Sequence, residues 1–253
     1  MKLRITAVSD KGCVRENNED MVLIGKKLLR DDRLQGAVEP GPGNPVFIVA
    51  VADGMGGANA GEVASSMVLE MVRDGIYGLT AGLDDTGLKT SISTICRNIH
   101  QNVIKEGLND SAKRGMGTTL VGLLYYEGRL MLINAGDSRL YRFRNGTLMQ
   151  VSSDHSLREL TRDSEAPSNV IVNSFGGGSA FYVDVEPAGK KALDGDIFLL
   201  CSDGVSDMLS DEEIEEVLDK EGFEDALLEA AKNKGGKDNI SYVLAEISGV
   251  EET

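Results

Sequence analysis

The 253-residue sequence has few of the side chains that build soft-metal or covalent catalytic sites: three cysteines, two histidines and no tryptophan. Cys13, Cys96 and Cys201 are far apart and form no CxxC pair. This argues against a disulfide framework or a cysteine-type zinc site, and we expect buried free thiols. His100 and His155 alone leave almost no material for a histidine-rich zinc centre or a Ser-His-Asp triad. We expect His100 on a helix surface and His155 in an orienting or structural role.

Long apolar runs and basic charge are also scarce. The longest apolar runs, such as VFIVAVA at 46–52, are too short to span a bilayer, and the N-terminal MKLRITAVSD lacks the apolar core of a signal peptide. Lys and Arg total 26 against 41 Asp and Glu, a net charge of −15. This balance argues against nucleic acid or an anionic membrane as a partner. We therefore expect a soluble, cytoplasmic protein whose acidic residues serve solubility or cation binding.

Apolar periodicity predicts an α+β fold. Short strand-like segments occur in neighbouring pairs, with tight turns at Glu127-Gly128 and Asn145-Gly146, so antiparallel pairing is expected. Helical periodicity is clear from Leu88 to Val103 and after the capping-box pair Ser210 and Glu213. Grouped helices favour α+β over a doubly wound parallel sheet. The predicted strands are Leu3–Val8, Met21–Ile24, Val46–Ala52, Leu120–Tyr126, Leu130–Ala135, Leu140–Phe143, Ile197–Cys201 and Ile240–Ile247.

Two irregular stretches interrupt this pattern. Asp31–Pro45 contains three prolines among glycines and charged residues, which predicts a loop inserted within a domain. Pro167–Ala180 contains three consecutive glycines, and we interpret it as a candidate flap. The chain length fits one large domain or two small ones.

Acidic residues recur where predicted strands meet loops. The positions are Asp53 after VFIVAVA, Asp203 after IFLLCS, Asp137 after LMLINA, Asp238 before ISYVLAEI, and Glu19-Asp20 before MVLI. One Asp-Gly after a strand is most often a turn, but several together predict a site. Oxygen ligands without nearby His or Cys select Mg²⁺ or Mn²⁺, and two such ions make a hydrolytic centre. Arg15 adds a guanidinium that suits a phosphate dianion, although alone it would be a surface salt bridge.

These motifs resemble those of the metal-dependent serine/threonine phosphatases of type 2C, in their compact bacterial form. The resemblance spans residues 6–247 and implies two stacked antiparallel sheets flanked by helical hairpins on both outer faces. It also implies one catalytic domain over 1–253, with a flap at about 154–179. The matching segments, in the family's order, are 15–20, 51–57, 117–119, 136–139, 202–204 and 237–239.

The resemblance further implies a binuclear Mn²⁺ or Mg²⁺ centre. Asp53 would bridge the two ions, and Asp203 and Asp238 would complete the first site. The carbonyl of Gly54 would serve the second ion, whose waters Glu19-Asp20 would hold.

Other roles follow from the same resemblance. Asp137 and Asp207, together with Asp203, match the ligands of a third, looser ion. Arg15 matches the phosphate-binding arginine, and the pair Thr118-Thr119 would support the core. This chain has Met55 where some family members carry a histidine proposed as a general acid, so we assign no protein acid.

The implied reaction is hydrolysis of phosphoserine and phosphothreonine on proteins by in-line attack of a hydroxide that bridges the ions, without a phosphoenzyme. The substrates would be those of a partner serine/threonine kinase, and we expect a monomer. Three alternatives stay open: a non-catalytic phosphatase-like binding module, a hydrolase of small phosphate esters, and a purely structural acidic protein. Saturable Mn²⁺ binding and rates on phosphopeptides would separate them.

Overall fold

The secondary structure comes from a computed structural model that describes residues 1–56, 60–163, 166–167, 170–177, 181–189 and 191–250. Gly57 of the Asp-Gly motif and residues 164–165, 168–169 and 178–180 of the predicted flap region lie outside these ranges. The strands are β1 Lys2–Asp10, β2 Met21–Ile24, β3 Lys27–Leu29, β4 Asp32–Val38, β5 Val46–Ala52, β6 Gly54–Met55, β7 Gly117–Thr118, β8 Leu120–Tyr126, β9 Arg129–Ala135, β10 Arg139–Arg144, β11 Thr147–Gln150, β12 Asp184–Pro187, β13 Ile197–Cys201 and β14 Ile240–Ser248. The helices are α1 Ala60–Tyr77, α2 Asp85–Asn109, α3 Leu157–Thr161, α4 Asp203–Ser206, α5 Asp211–Leu218 and α6 Phe223–Asn233, with a short 3₁₀ turn at Ser111–Lys113.

Two six-stranded sheets carry the fold, and their neighbouring strands pair antiparallel. Their strand orders are β11-β10-β13-β14-β1-β4 and β12-β9-β8-β5-β2-β3. The predicted tight turns join β8 to β9 and β10 to β11. In each turn a residue with positive φ precedes a glycine with positive φ: Glu127 (46°) with Gly128 (90°), and Asn145 (51°) with Gly146 (75°). Two positive φ angles define the turn whose twist matches paired strands, so these hairpins are encoded locally.

Three apolar layers hold the sheets and helices together. Side chains such as Val49 and Val243 fill the space between the two sheets. Helices α1 and α2 cover the outer face of the β8-containing sheet through residues such as Ile92. Helices α4, α5 and α6 cover the outer face of the other sheet through residues such as Ile214. The resulting order, helices–sheet–sheet–helices, confirms the predicted α+β sandwich.

The loop predicted for Asp31–Pro45 is wrong in its first half. Asp32–Val38 forms strand β4, which pairs with β1 from Leu3 opposite Val38 to Ser9 opposite Asp32. β4 is an edge strand whose residues are exposed or half-buried. Its side chains therefore carry no apolar alternation, and backbone hydrogen bonds to β1 define the strand instead.

The predictions for His100 and Cys13 are also wrong. His100 is buried: its ring stacks on Phe181 with centroids 4.3 Å apart, and its Nδ1 accepts a hydrogen bond from the Gly176 amide at 3.2 Å. Helical periodicity identifies the face that packs on the sheet, but not a second face that a distant segment covers. Cys96 and Cys201 are buried as expected, whereas Cys13 is exposed. Across the described residues, no helix is both long and apolar enough to cross a membrane.

Helix α2 provides a direct test of the layer beneath it. Replacing the fully buried Ile92 with alanine should lower the free energy of unfolding by about 2–5 kcal/mol, because a cavity opens in a packed layer. The matched change Leu108→Ala removes a side chain that is 75% exposed on the same helix, and should change it by less than about 0.5 kcal/mol. Urea denaturation measures both; equal losses would contradict this assignment of the buried face.

Candidate metal centre

The antiparallel register brings the acidic strand ends to one end of the sandwich. Met21 pairs with Ala52, which places the residues before β2 beside those after β5. Cys201 pairs with Tyr242, which places the residues after β13 beside those before β14. The acidic cluster formed there comprises Glu19, Asp20, Asp53, Asp137, Asp203, Asp207 and Asp238.

The backbone of Asp53 is held on both sides by two threonines. The Asp53 amide donates to Oγ1 of Thr119 at 3.0 Å, and Oγ1 of Thr118 donates to the Asp53 carbonyl at 2.7 Å. The Thr119 amide also donates to that carbonyl at 2.9 Å. The Thr119 hydroxyl in turn contacts Oγ of Ser138 at 2.7 Å. These contacts orient the peptide that carries the Asp53 carboxyl.

Glycine follows two of the aspartates because the backbone packs too closely for a side chain. A Cβ on Gly54 would overlap the carbonyl oxygens of Gly61 and Glu19. A Cβ on Gly204 would overlap the carbonyl oxygen of Asn239. Because Gly54 has no side chain of its own, nothing attached to its Cα covers the backbone carbonyl that follows Asp53.

The loop that carries Arg15 is fastened by Asn239, a residue to which the sequence analysis gave no role. The Asn239 side chain donates to the carbonyls of Lys11 at 3.0 Å and Asn17 at 2.9 Å. Its Oδ1 accepts from the Glu19 amide at 2.8 Å. These partners lie more than two hundred residues earlier in the chain. The one sequence signal was that Asn239 directly follows Asp238.

Arg15 lies at the solvent side of the cluster. Its Nη2 donates to Oδ2 of Asp238 at 2.5 Å, and its side chain is 52% exposed. This hydrogen bond, together with the charges of Asp238, Asp203 and Asp53, raises the pKa of Arg15 above its ordinary value. A guanidinium that is charged, accessible and next to a cation site can bind an anion there.

Asp20 is fully buried below the other carboxyls. Its Oδ2 accepts a hydrogen bond from Oγ of Ser202 at 2.8 Å, while its Oδ1 is buried without a partner. Burial, and after it the charges of Asp203 and Asp238, raise the pKa of Asp20 to about 7 despite the serine hydrogen bonds. Arg30, another residue that sequence patterns did not identify, donates its Nε to the Asp20 carbonyl at 2.8 Å.

Burial, and after it the charges of neighbouring acids, also raise the pKa of the central aspartates. Burial and the charges of neighbouring aspartates raise the pKa of Asp53 well above its ordinary value. Burial is also the main cause that raises the pKa of Asp203 to about 6 and that of Asp137 to about 7. The charges of Asp20, Asp203, Asp137 and Asp238 all disfavour ionisation of Asp53, which therefore lies at the centre of the crowding.

The donor set fits a hard divalent cation. All the candidate ligands are oxygens, Asp20 is buried, Asp53 and Asp203 are half-buried, and one buried oxygen of Asp20 lacks a partner. Within the described part of the chain, no three acidic, histidine or cysteine side chains are arranged as a ready-made metal shell. Asp238 instead pairs with Arg15, and the remaining carboxyls act on one another through their charges. A divalent cation would replace these contacts and offset the crowded negative charge.

The side of the cluster around Asp137 contains a further acid, Asp154, which the site prediction did not include. Arg139 binds Asp154 through Nε at 3.0 Å and Nη2 at 2.7 Å, and donates Nη1 to the hydroxyl of Tyr141 at 2.9 Å. Burial raises the pKa of Asp207, while the charge of Arg139 lowers it. Arg139 therefore supplies positive charge next to the residues expected to hold a looser ion.

Comparisons with known proteins show which family the chain resembles. A family model described as protein phosphatase 2C matches residues 23–245. The chain is 35% identical over 264 residues to the serine/threonine protein phosphatase PstP of Mycobacterium tuberculosis, covering 97% of this chain and 45% of PstP. It is 31% identical over 252 residues to the serine/threonine phosphatase stp of Listeria welshimeri, covering 94% of this chain and 93% of that relative. The chain thus spans less than half the length of PstP and nearly all of stp.

A solved structure shares the fold as well. The crystal structure of the catalytic domain of PstP in complex with two manganese ions superimposes with a TM-score of 0.74 at 32% identity. The superposition covers 97% of this chain and 98% of that one.

The raised carboxyl pKa values predict how the stability of the metal-free protein depends on pH. The folded carboxyls keep protons up to about pH 6–7, whereas unfolded aspartates lose them near about pH 3.9. The folded state therefore binds more protons in this window, and its stability should fall as the pH rises from about 4 to about 7. Differential scanning calorimetry in a chelating buffer measures the melting temperature across the window. A flat or rising profile would contradict the crowding.

Manganese and one substitution sharpen this test. Added Mn²⁺ should raise the melting temperature more at about pH 7.5 than at about pH 5.5, because protons compete for the ligands. Asp203→Asn should stabilise the metal-free protein at pH 7.5 by about 1–3 kcal/mol and weaken its response to Mn²⁺. A variant that is destabilised without metal, with an intact Mn²⁺ response, would show that Asp203 does not belong to the crowded cluster.

Proposed function

The chain belongs to the protein phosphatase 2C family, and from that premise we propose that it hydrolyses phosphoserine and phosphothreonine on proteins with bound Mn²⁺ or Mg²⁺. The observation that supports this most strongly is the meeting of acidic side chains from separate strand ends beside one accessible arginine. A purely structural acidic surface would spread such charges apart, because crowding them costs stability.

In this proposal the acidic cluster holds two cations. Asp53 would bridge them, Asp203 and Asp238 would complete the first site, and the Gly54 carbonyl with Glu19-Asp20 would serve the second. When bound, the ions supply a water nucleophile of lowered pKa and neutralise charge on the phosphoryl oxygens. A third cation would be held beside them by Asp137, Asp203 and Asp207.

The chain itself contributes binding and orientation. Arg15 would bind two phosphoryl oxygens through its planar guanidinium and so set the direction from which the phosphorus is attacked. Thr118 and Thr119 keep the Asp53 peptide in place. Met55 stands where some family members carry a histidine, so we assign no protein group as the acid that protonates the leaving serine or threonine oxygen. No covalent phosphoenzyme is part of this proposal.

The wider setting is proposed on the same basis. We treat residues 1–253 as a single catalytic domain with a flap at about 154–179, acting as a cytoplasmic monomer. Its substrates would be phosphorylated proteins of a serine/threonine kinase that acts on the same targets. Of the predicted flap region, the described residues form helix α3 and a bridge from Phe175 to Thr118, which joins this region to the strand beside Asp53.

The proposal predicts manganese-dependent hydrolysis of a phosphothreonine peptide by the purified protein. Asp203→Asn should lower turnover by about 10²–10³-fold, because it removes a charged ligand worth several kcal/mol in the transition state. Asp219→Asn is the matched control: this exposed aspartate lies against the Gly146 turn, beyond the other end of β10, and should leave turnover unchanged. Stable Mn²⁺ binding without turnover would favour the non-catalytic alternative, and faster turnover of small esters than of peptides would favour the small-ester hydrolase.

Arg15 is expected to act mainly in substrate binding. Arg15→Ala should raise KM for the phosphopeptide by about 10–100-fold, because a charged hydrogen bond to phosphate is lost, with a smaller change in kcat. Arg15→Lys should recover part of the loss, since it keeps the charge but not the two-pronged geometry. Steady-state kinetics at saturating Mn²⁺ separates the two constants. A collapse of kcat at constant KM would assign Arg15 to the transition state.

A further inference from the structure

The imidazole of His155 has all its hydrogen-bonding capacity in use. Nδ1 faces two donors, the Gly136 amide at 3.1 Å and Nδ2 of Asn173 at 2.7 Å. Nε2 lies 2.9 Å from Oδ2 of Asp184. Because Nδ1 meets N–H groups and Nε2 meets a carboxylate, Nδ1 must carry the lone pair and Nε2 the hydrogen. The ring is 4% exposed and packs against Tyr182 with centroids 4.5 Å apart.

One side of this imidazole reaches the acidic cluster. The Gly136 amide donates to Nδ1 of His155, and the His155 amide donates back to the Gly136 carbonyl at 2.9 Å. Gly136 has a φ of 130°, and a Cβ there would lie 2.6 Å from Cβ of Thr119. The next residue is Asp137. His155 thus holds the Gly136 peptide through two hydrogen bonds. This peptide directly precedes Asp137 and packs against Thr119, which bonds the Asp53 amide.

The other side of the imidazole reaches the described part of the chain beyond α3. The Val172 amide donates to the His155 carbonyl at 2.8 Å. Asn173, which is buried, donates Nδ2 to the Tyr182 carbonyl at 2.9 Å and accepts from the Tyr182 amide at 3.3 Å. Asp184 begins strand β12. The segments 170–173 and 181–184 therefore both contact His155, the residue that also bonds Gly136.

We propose that His155 is a positioning residue that joins the segments 170–173 and 181–184 to the acidic cluster. Its Nδ1 lone pair fixes Gly136 and so places the Asp137 carboxyl for a cation, while its Nε2–H holds Asp184. This inference rests on the proposed function of the cluster, and it adds a route by which the segments around the site set the cation affinity of Asp137. Residues that orient a metal ligand typically change metal affinity by about 10–100-fold when they are replaced.

The tautomer can be read directly. A long-range ¹⁵N–¹H correlation spectrum of the metal-free protein contains the signals of two histidines, and His100→Gln removes one set and assigns the other. We expect His155 to show a protonated Nε2 and an unprotonated Nδ1. A protonated Nδ1 would overturn the proposal, because that nitrogen could not accept from Gly136.

Two substitutions separate the contribution of Nδ1 from that of Nε2. Asn places an amide oxygen near the position of Nδ1, and Gln places an amide nitrogen near that of Nε2. Isothermal titration calorimetry with Mn²⁺ should therefore show that His155→Gln weakens the Asp137-dependent binding step by about tenfold or more, whereas His155→Asn stays within about threefold. A merely structural histidine would lower the melting temperature in both variants and leave Mn²⁺ affinity equal between them, which would overturn the proposal.

His100 is the matched control. Its Nδ1 also accepts a hydrogen bond from a backbone amide, but that amide belongs to Gly176 and not to the residue before Asp137. His100→Gln should change stability and leave the Asp137-dependent binding step unchanged. A double-mutant cycle with Asp137→Asn completes the test: the effect of His155→Gln should vanish in that background. An effect that persists would refute the action through Asp137. If Asp137→Asn alone leaves Mn²⁺ binding unchanged, the assignment of Asp137 to the cation site fails, and this inference fails with it.

Discussion

Carboxyl groups crowded together at one end of the two sheets repel one another, and the protein around them screens that repulsion less than bulk water would. Asp53 stands at the centre, where burial and neighbouring aspartates raise its pKa. Within the protein this charge is offset by protons that the raised pKa values retain, and by the ion pair between Arg15 and Asp238. A divalent cation offsets the same charge while leaving the carboxylates ionised. Cation binding and local stability are therefore two aspects of one interaction.

Such crowding needs a rigid support, and the sandwich supplies it. Apolar layers on both sides of each sheet fix the strand ends, so the carboxyls cannot separate by moving the backbone. Close contacts at Gly54 and Gly204 bring peptides together where a side chain would force them apart. The threonine contacts then orient Asp53 within this frame. The support and the site are thus parts of one packing arrangement.

Two polar side chains fasten the flanks of the cluster in a similar way. Asn239 holds the loop of Arg15 through three backbone groups, and His155 holds the peptide before Asp137 through its ring Nδ1 and its own backbone amide. Each is largely buried and has its hydrogen-bonding groups satisfied, which favours one geometry over many. In the proposed function, Asn239 positions the loop whose Arg15 binds the phosphate, and His155 positions Asp137 as a ligand for a metal ion.

Local patterns were sufficient for much of the fold. Apolar spacing from Leu88 to Val103 predicts the buried face of α2, and the Asn145-Gly146 pair predicts its hairpin, because each depends on the conformation of one short segment. The capping box at Ser210 forms as expected for the same reason. Aspartates that follow apolar runs also identified the candidate ligands, since a strand end exposes its next residue whatever the strand pairs with.

Tertiary structure decided what depends on distant neighbours. Strand β4 exists because β1 lies beside it, and His100 is buried because Phe181 covers a second face of α2. Asn239 holds Glu19 across 220 residues of chain, a contact that no local pattern encodes. The sequence by itself determined which residues could bind a cation and which segments form hairpins and helices. The order and register of the strands alone decided that these carboxyls meet, because burial and repulsion depend on distances between segments far apart in the chain.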